Sequence, residues 1–244
     1  MNGRERILRA LRRQMPDAVP TFEWFIDAAV ARALTGSEDL LDVVERLDLD
    51  GVNIRPDYRK EFQDETTLVD EWQIRRQLTG DCLPALLDSP ILDITCHQRY
   101  QFPDPAAAHR FGSLEKALQR FGDRRAVILN LRDGFSDMRD LLGYEESLMA
   151  LLAEPQAFSE LLERVVEYNL QLAAVAQQRY GVQILATTDD VANATGLLMR
   201  PETYFEMVAP HFRRVLKGYK DLGYLCIKHC DGKIDAVIDL WIEC

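Results

Sequence analysis

Residues 224–233 read YLCIKHCDGK: an apolar stretch runs into three donor side chains, His229, Cys230 and Asp231, and then a glycine. Side chains along a β-strand alternate between faces, so His229 and Asp231 would share one face while Cys230 takes the other. Together the imidazole and the carboxylate can chelate a metal ion, and the C-terminal end of a strand is where parallel-barrel enzymes keep catalytic groups. The competing reading is a strand-end histidine hydrogen-bonded to a carboxylate in an HCDG turn. Cys226 and Cys230 are spaced CxxxC, which along a strand separates the sulfurs too far to share a metal.

A second run, VQILATTDD (182–190), ends on Asp189 and Asp190. Like charges at short range raise one pKa, which suits a general acid or a metal ligand; a helix cap beside a solvated carboxylate is the alternative. Glu23 lies within the apolar run TFEWF, where a carboxylate is costly unless it faces a polar interior or sits at a strand edge in water. NLRDGF (130–135) places Arg132 and Asp133 at a further strand end, as a clamp for a substrate carboxylate or as a mutual ion pair. Tyr58 in PDYR and Trp72 in DEW are loop candidates for substrate contact.

The elements that must position these groups follow from periodicity. Ile7, Leu8 and Leu11 share one face of an opening helix, and DAVPTFEWF supplies a first strand near 20–25. SEDLLDVVERL forms a helix with Ser37 at its N-cap, followed after an Asp-Gly turn by the strand GVNIR. RAVILNL (125–131) and VQILATT (182–188) are continuous apolar runs of strand length, the signature of parallel strands buried on both faces. Between them a long helix starts at Pro155, turns Leu161, Leu162, Val165, Val166 and Leu172 inward, and stops at Gly181. A further helix from Pro201 is bent at Pro210. Residues 56–124 read as an extended connection carrying short elements. Helices alternating with buried strands predict an α/β fold of the (β/α)8 TIM-barrel type, with strands at 20–25, 51–55, 125–131, 182–188 and 224–230 as parallel neighbours, and a doubly wound sheet as the alternative. In that arrangement Glu23, Asp189 and His229 emerge at one rim. About five such strands are legible where closure needs eight, so the barrel reads as C-terminally truncated, with an uncovered edge inviting self-association.

Composition narrows the function. A chain of 244 residues with 47% hydrophobic content is sized for one domain, 1–244. The net charge of -11 disfavours nucleic acid and acidic membrane surfaces. No apolar run reaches the ~18 residues of a membrane span, and the N-terminus has no signal-peptide core. Five cysteines without dense spacing fit a reducing, cytoplasmic setting. GxGxxG, Walker, GxSxG and HExxH motifs are absent, which removes most support for dinucleotide, nucleotide and serine-hydrolase chemistry.

The opening RERILRALRRQMPDAVP, the DEW segment, FPDP (102–105), LRDGF, TTDD, LMRPETYFEMVAPHFRRVLKGYKDLG and KHCDGKI together resemble the uroporphyrinogen decarboxylase superfamily across essentially the whole chain. The resemblance implies a (β/α)8 barrel and one of two chemistries: porphyrinogen decarboxylation, or zinc-dependent methyl transfer involving a corrinoid protein. Decarboxylases of the family carry an arginine-rich segment after the first strand. Here the stretch is TFEWFIDAAVARAL, with Glu23 and Asp27, an acidic entrance that would repel a polyanion. Methyltransferases of the family bind zinc through His-x-Cys and a later Cys. His229 matches the first position, Asp231 replaces the second, and the later ligand would lie beyond Cys244.

The resemblance therefore implies zinc at His229 and Asp231, a corrinoid carried by a partner protein, and a small methylated substrate. With a carboxylate in place of a thiolate, the ion would keep more positive charge and favour an ether oxygen, so a methoxylated donor is expected. Asp189 or Asp190 would supply a proton or a ligand. A decarboxylase in which an aspartate near 189 and 190 stabilises a protonated pyrrole is the enzymatic alternative; an inactive fragment or binding protein is the third reading.

Overall fold

The computed structural model describes residues 1–80 and 83–244. Cys82 therefore lies outside the described residues; Cys96, Cys226, Cys230 and Cys244 are free thiols. The chain opens with α1 (Gly3–Leu11), started by a capping box: Asn2 accepts from the Glu5 amide at 2.9 Å while the Glu5 carboxylate accepts from the Asn2 amide at 3.2 Å. Helices α2 (Ala28–Thr35) and α3 (Leu40–Arg46) follow. The α3 cap is Asp39, whose carboxylate accepts from the Leu41 amide at 2.9 Å, and the expected cap Ser37 instead accepts from the Asp39 amide.

Strand β1 (Gly51–Ile54) leads into an antiparallel sheet, β2 (Lys60–Phe62), β3 (Thr67–Asp70), β4 (Arg75–Gln77) and β5 (Ala85–Asp88). Then come α4 (Gly112–Phe121), β6 (Ala126–Arg132), α5 (Phe135–Leu142), α6 (Tyr144–Ala153) and α7 (Pro155–Tyr180). After β7 (Ile184–Thr188), a small hairpin of β8 (Ala192–Asn193) and β9 (Gly196–Leu197) precedes α8 (Pro201–Thr203). A π-turn over Tyr204–Val208 joins α8 to α9 (Ala209–Asp221), because Pro210 has no N–H to bond back into the preceding turn. Strand β10 (Leu225–His229) and α10 (Ile238–Glu243) end the chain.

The main sheet runs β1-β6-β7-β10 and is parallel throughout. Four of the five expected strands are thus present as parallel neighbours. The fifth is not: residues 20–25 form no strand. This segment lies beside β1, held by the Thr21 amide donating to Asp50 Oδ2 at 2.8 Å and by Asn53 Nδ2 donating to the Trp24 carbonyl at 2.8 Å. The only backbone–backbone bonds there, among the described residues, run from the Asp50 and Gly51 amides to the one Thr21 carbonyl, so no ladder forms. Among the described residues β1 and β10 are the sheet's edges, and it does not close on itself.

Alternation along the strands splits the core in two. Ala126, Ile128, Ile184 and Ala186 face inward with Ile7 and Leu8 of α1, and Phe22, Trp24, Leu225 and Ile227 pack against them. Val127, Leu129, Leu131 and Leu185 face the helices. There α7 buries Leu161, Leu162, Val165, Val166, Leu172, Ala173 and Ala176 along one stripe, each large side chain worth about 1.5–3 kcal/mol of transfer free energy. The antiparallel sheet stands where the sequence pattern shows only an irregular connection, because its strands are three or four residues long and mostly exposed. No helix is long and apolar enough to cross a membrane, among the described residues.

Candidate functional site

At the C-terminal edge of the main sheet, Arg132 pairs with Thr188 and Thr188 with His229 in the ladder. Arg132, Thr188 and His229 continue the inward set, so this last rung carries three polar side chains where the rungs below carry Asn130, Ala186 and Ile227 and then Ile128, Ile184 and Leu225. Asp190, two residues past Thr188, and Asp231, two past His229, keep the same parity. Asp190, His229 and Asp231 converge there, each offering a ligand atom within 4.8 Å of the others. His229 Nε2 lies 3.1 Å from Asp231 Oδ1, and the Asp231 amide donates to Asp190 Oδ1 at 3.3 Å. The indole of Trp24 stacks on the imidazole, with centroids 4.3 Å apart at 18°.

The turn after His229 is fixed by Gly232. A Cβ there would come within 2.3 Å of the Ala192 carbonyl carbon on β8, and the Lys233 amide donates to the Asn193 carbonyl at 2.8 Å. The hairpin β8–β9 therefore anchors the loop that presents Asp231.

One nitrogen and two carboxylates, half-buried and exposed, make a hard donor set open to solvent on one side. That chemistry fits a divalent cation such as zinc with coordination positions left for water or substrate. Cys230 does not join: it packs against the outer core, as strand alternation requires. Cys226 shares that outer side, where burial pushes its thiol up to about 11.

The opposite parity gives a different cluster. Asp189 is only 4% exposed, and its two carboxylate oxygens accept from the amides of Phe135 at 2.8 Å and Ser136 at 2.7 Å. It caps the N-terminus of α5, a helix belonging to the neighbouring strand rather than the one that follows it. Gly134 permits this entry: its φ is +129°, and a Cβ would lie 2.8 Å from Leu162 of α7. Lys228 Nζ stands 2.6 Å from Asp133 Oδ2 and 4.6 Å from the Trp241 ring centre. Burial and the neighbouring Asp133 carboxylate push Asp189 up to about 7, against the pull of Lys228.

These placements revise several expectations. Asp189 follows β7 at the same C-terminal edge as His229 but is buried on the outer face; Asp190 is the one that stands beside His229. Glu23 is exposed and turned away, since its neighbours Phe22 and Trp24 take the inner face. Arg132 and Asp133 do not pair with one another. Arg132 Nη1 bonds Asp137 at 3.0 Å and Asp140 at 2.7 Å, while Asp133 is buried against Lys228. Trp72 is a core residue, 7% exposed, packed edge-on to Tyr168 at 4.6 Å with its carbonyl accepting from the Tyr100 hydroxyl. Tyr58 is half-buried against Trp72, beneath the Arg110 guanidinium at 5.0 Å, and burial with nearby Asp137 pushes its hydroxyl up to about 12. Neither aromatic stands at the inner rim. Trp24 is the site residue that motif reading passes over; Asp190 is a candidate there only jointly with Asp189, and strand parity is the signal that separates the two.

Residues 76–244 match the family model described as Uroporphyrinogen decarboxylase (URO-D). Among solved structures, a methyltransferase from Methanosarcina mazei shares the fold with a TM-score of 0.72 at 13% identity, over 98% of this chain and 72% of that one. No curated protein matches the sequence.

Proposed function

Since the chain belongs to the uroporphyrinogen decarboxylase (URO-D) family, we propose that it is a methyltransferase that removes a methyl group from a small methoxylated substrate and passes it to the cobalt of a corrinoid protein. The observation that carries this reading is the convergence of Asp190, His229 and Asp231 at the C-terminal edge of the parallel sheet. The sheet is read as part of a single (β/α)8 barrel domain acting in a reducing, cytoplasmic setting. The methyltransferase fold of the Methanosarcina mazei protein supports the same direction.

In this proposal His229 and Asp231 hold zinc, joined by Asp190, and the ion when bound supplies a Lewis acid for the ether oxygen. Trp24 fixes the imidazole plane by stacking. The departing oxygen must gain a proton when the carbon–oxygen bond breaks; with Asp190 serving the ion as a carboxylate, that proton would come from solvent at the open side of the site. Asp189 cannot take the place of Asp190, because both of its oxygens are engaged by α5 amides on the far side of the sheet.

Elemental analysis of the chain and its variants tests the reading, alongside methyl transfer from methoxylated compounds to cob(I)alamin. His229→Ala, Asp231→Ala and Asp190→Ala should each lose most bound zinc, since each removes one donor from a site of about four ligands. Cys230→Ser should keep it. Zinc lost with Cys230 but retained without Asp231 would overturn the assignment. Carbon dioxide released from a porphyrinogen by metal-free protein would favour the decarboxylase instead.

A further inference from the structure

We propose that the inner face where β1 meets β6 is a carboxylate-binding subsite formed by Arg55, Asn130 and Arg132, so that the substrate is an anion. This rests on the methyltransferase reading for the reaction, but the subsite stands on its own geometry. Ile54 pairs with Leu129, so the next residue, Arg55, reaches the level of Asn130, and Arg132 follows one inward position further along β6. All three present nitrogen donors. Arg55 makes no hydrogen bond or ion pair among the described residues. Asn130 is 3% exposed, yet its Nδ2 has no acceptor, a state that destabilises the fold unless a ligand meets it. The bonds of Arg132 to Asp137 and Asp140 both run through Nη1, leaving its Nε–Nη2 edge free.

Arg132 is held by Asp137 and Asp140 through one nitrogen only and Asp190 acts on Arg55 without a hydrogen bond, so guanidinium edges and a buried amide are left over for an anion; a planar carboxylate matches a free guanidinium edge with two parallel bonds. Arg55 is exposed at the rim; partial desolvation of its guanidinium and the neighbouring Arg132 charge lower its pKa, against the opposing Asp190 carboxylate. Arg132 and His229 sit two strand spacings apart, about 10 Å. A molecule with a carboxylate at one end and a methoxy oxygen at the other, joined across one ring, spans from the arginines to the donor set.

Benzoate and inorganic phosphate titrations by calorimetry, in the presence of a chelator, test the subsite apart from any metal. Benzoate should bind, and Arg55→Ala and Asn130→Leu should each weaken it by about tenfold or more, with Arg55→Lys intermediate. Arg55 has no partner among the described residues, so Arg55→Ala should unfold like the parent and keep a loss of binding interpretable. Benzoate binding indifferent to Arg55, or seen only when metal is present, overturns the proposal, as does binding of phosphate but not benzoate. With 4-methoxybenzoate as methyl donor, Arg55→Ala should raise KM and leave the KM for 4-methoxybenzyl alcohol unchanged; equal effects on both would overturn the carboxylate assignment. Benzoate binding without any methyl transfer would sustain the subsite and count against the reaction.

Discussion

On the outer side of the sheet's C-terminal edge, Asp133, Asp189 and Lys228 are buried together, engaged with one another and with the start of α5. On the inner side, one residue along each strand, Arg132, Asp190 and His229 stand half-open at the rim. The two sets have similar chemistry and adjacent positions; only the alternation of the strands divides them. The outer set holds elements in place: Lys228 opposes the Asp133 charge, and Asp189 is hydrogen-bonded to the α5 amides inside the fold. The inner set has donor capacity left over, and in a folded protein that surplus is what remains for a ligand.

The largest effect expected from breaking this division is on stability. Lys228→Met would leave Asp133, which has a 3% exposed side chain, without its cation and Asp189 without a nearby positive charge. Removing one partner of a buried pair costs about 3–5 kcal/mol, so the urea midpoint should fall steeply. Lys228→Met/Asp133→Leu should regain a large part of that loss, since replacing both partners by apolar groups is often near neutral. A double variant no better than the single one would mean that Lys228 acts through its Trp241 contact rather than through charge.

A smaller effect follows from Asp189. Its carboxyl is raised from 3.8 to about 7, chiefly by burial and then by Asp133. A folded-state pKa above the unfolded one gives stabilisation that is complete below the unfolded value and lost as pH rises through the folded one. Asp189→Asn does not titrate, and it keeps one acceptor oxygen for two amides, a capping loss of about 1 kcal/mol. The parent's advantage over Asp189→Asn should therefore be greatest near pH 4, shrink as pH rises towards 7 and level off above it, measured by thermal unfolding of both across that range. An advantage that grows with pH would show that the ionised form is the one the α5 amides favour.

How far the site is legible in the sequence depends on which physical rule a residue obeys. A period of two places His229, Asp231 and Cys230 on their faces, because β10 is regular and five residues long. The same rule separates Asp190 from Asp189, yet a DD pair beyond a strand invites treatment as one acidic feature. The α7 stripe and its Pro155 and Gly181 ends are legible from local pattern alone. Residues 20–25 are not: their apolar run serves to pack Phe22 and Trp24 on the inner face, while their backbone bonds to β1 are too few for a ladder. Tertiary contacts decide that segment, and also Asn130, whose place inside an apolar run conceals a donor with nothing to bond.

The smallest effect on stability should belong to the inner rim, where Asp231 has an 80% exposed side chain and, among the described residues, pairs only with the half-open His229. Surface substitutions away from packing and caps change stability by about 0.5 kcal/mol or less, so Asp231→Ala without metal should unfold almost as the parent does. Added zinc separates them. A ligand that binds only the folded state stabilises it by RT ln(1 + [L]/Kd), about 2.7 kcal/mol at a hundredfold excess over Kd. The parent's thermal midpoint should climb with zinc concentration, while that of Asp231→Ala stays nearly flat over the same range. Should Asp231→Ala instead cost as much as Lys228→Met in the absence of metal, the inner rim would be part of the scaffold, and the distinction between the two faces would fail. Should both proteins climb equally with zinc, the ion would be bound elsewhere and the three-residue donor set would lose its assignment.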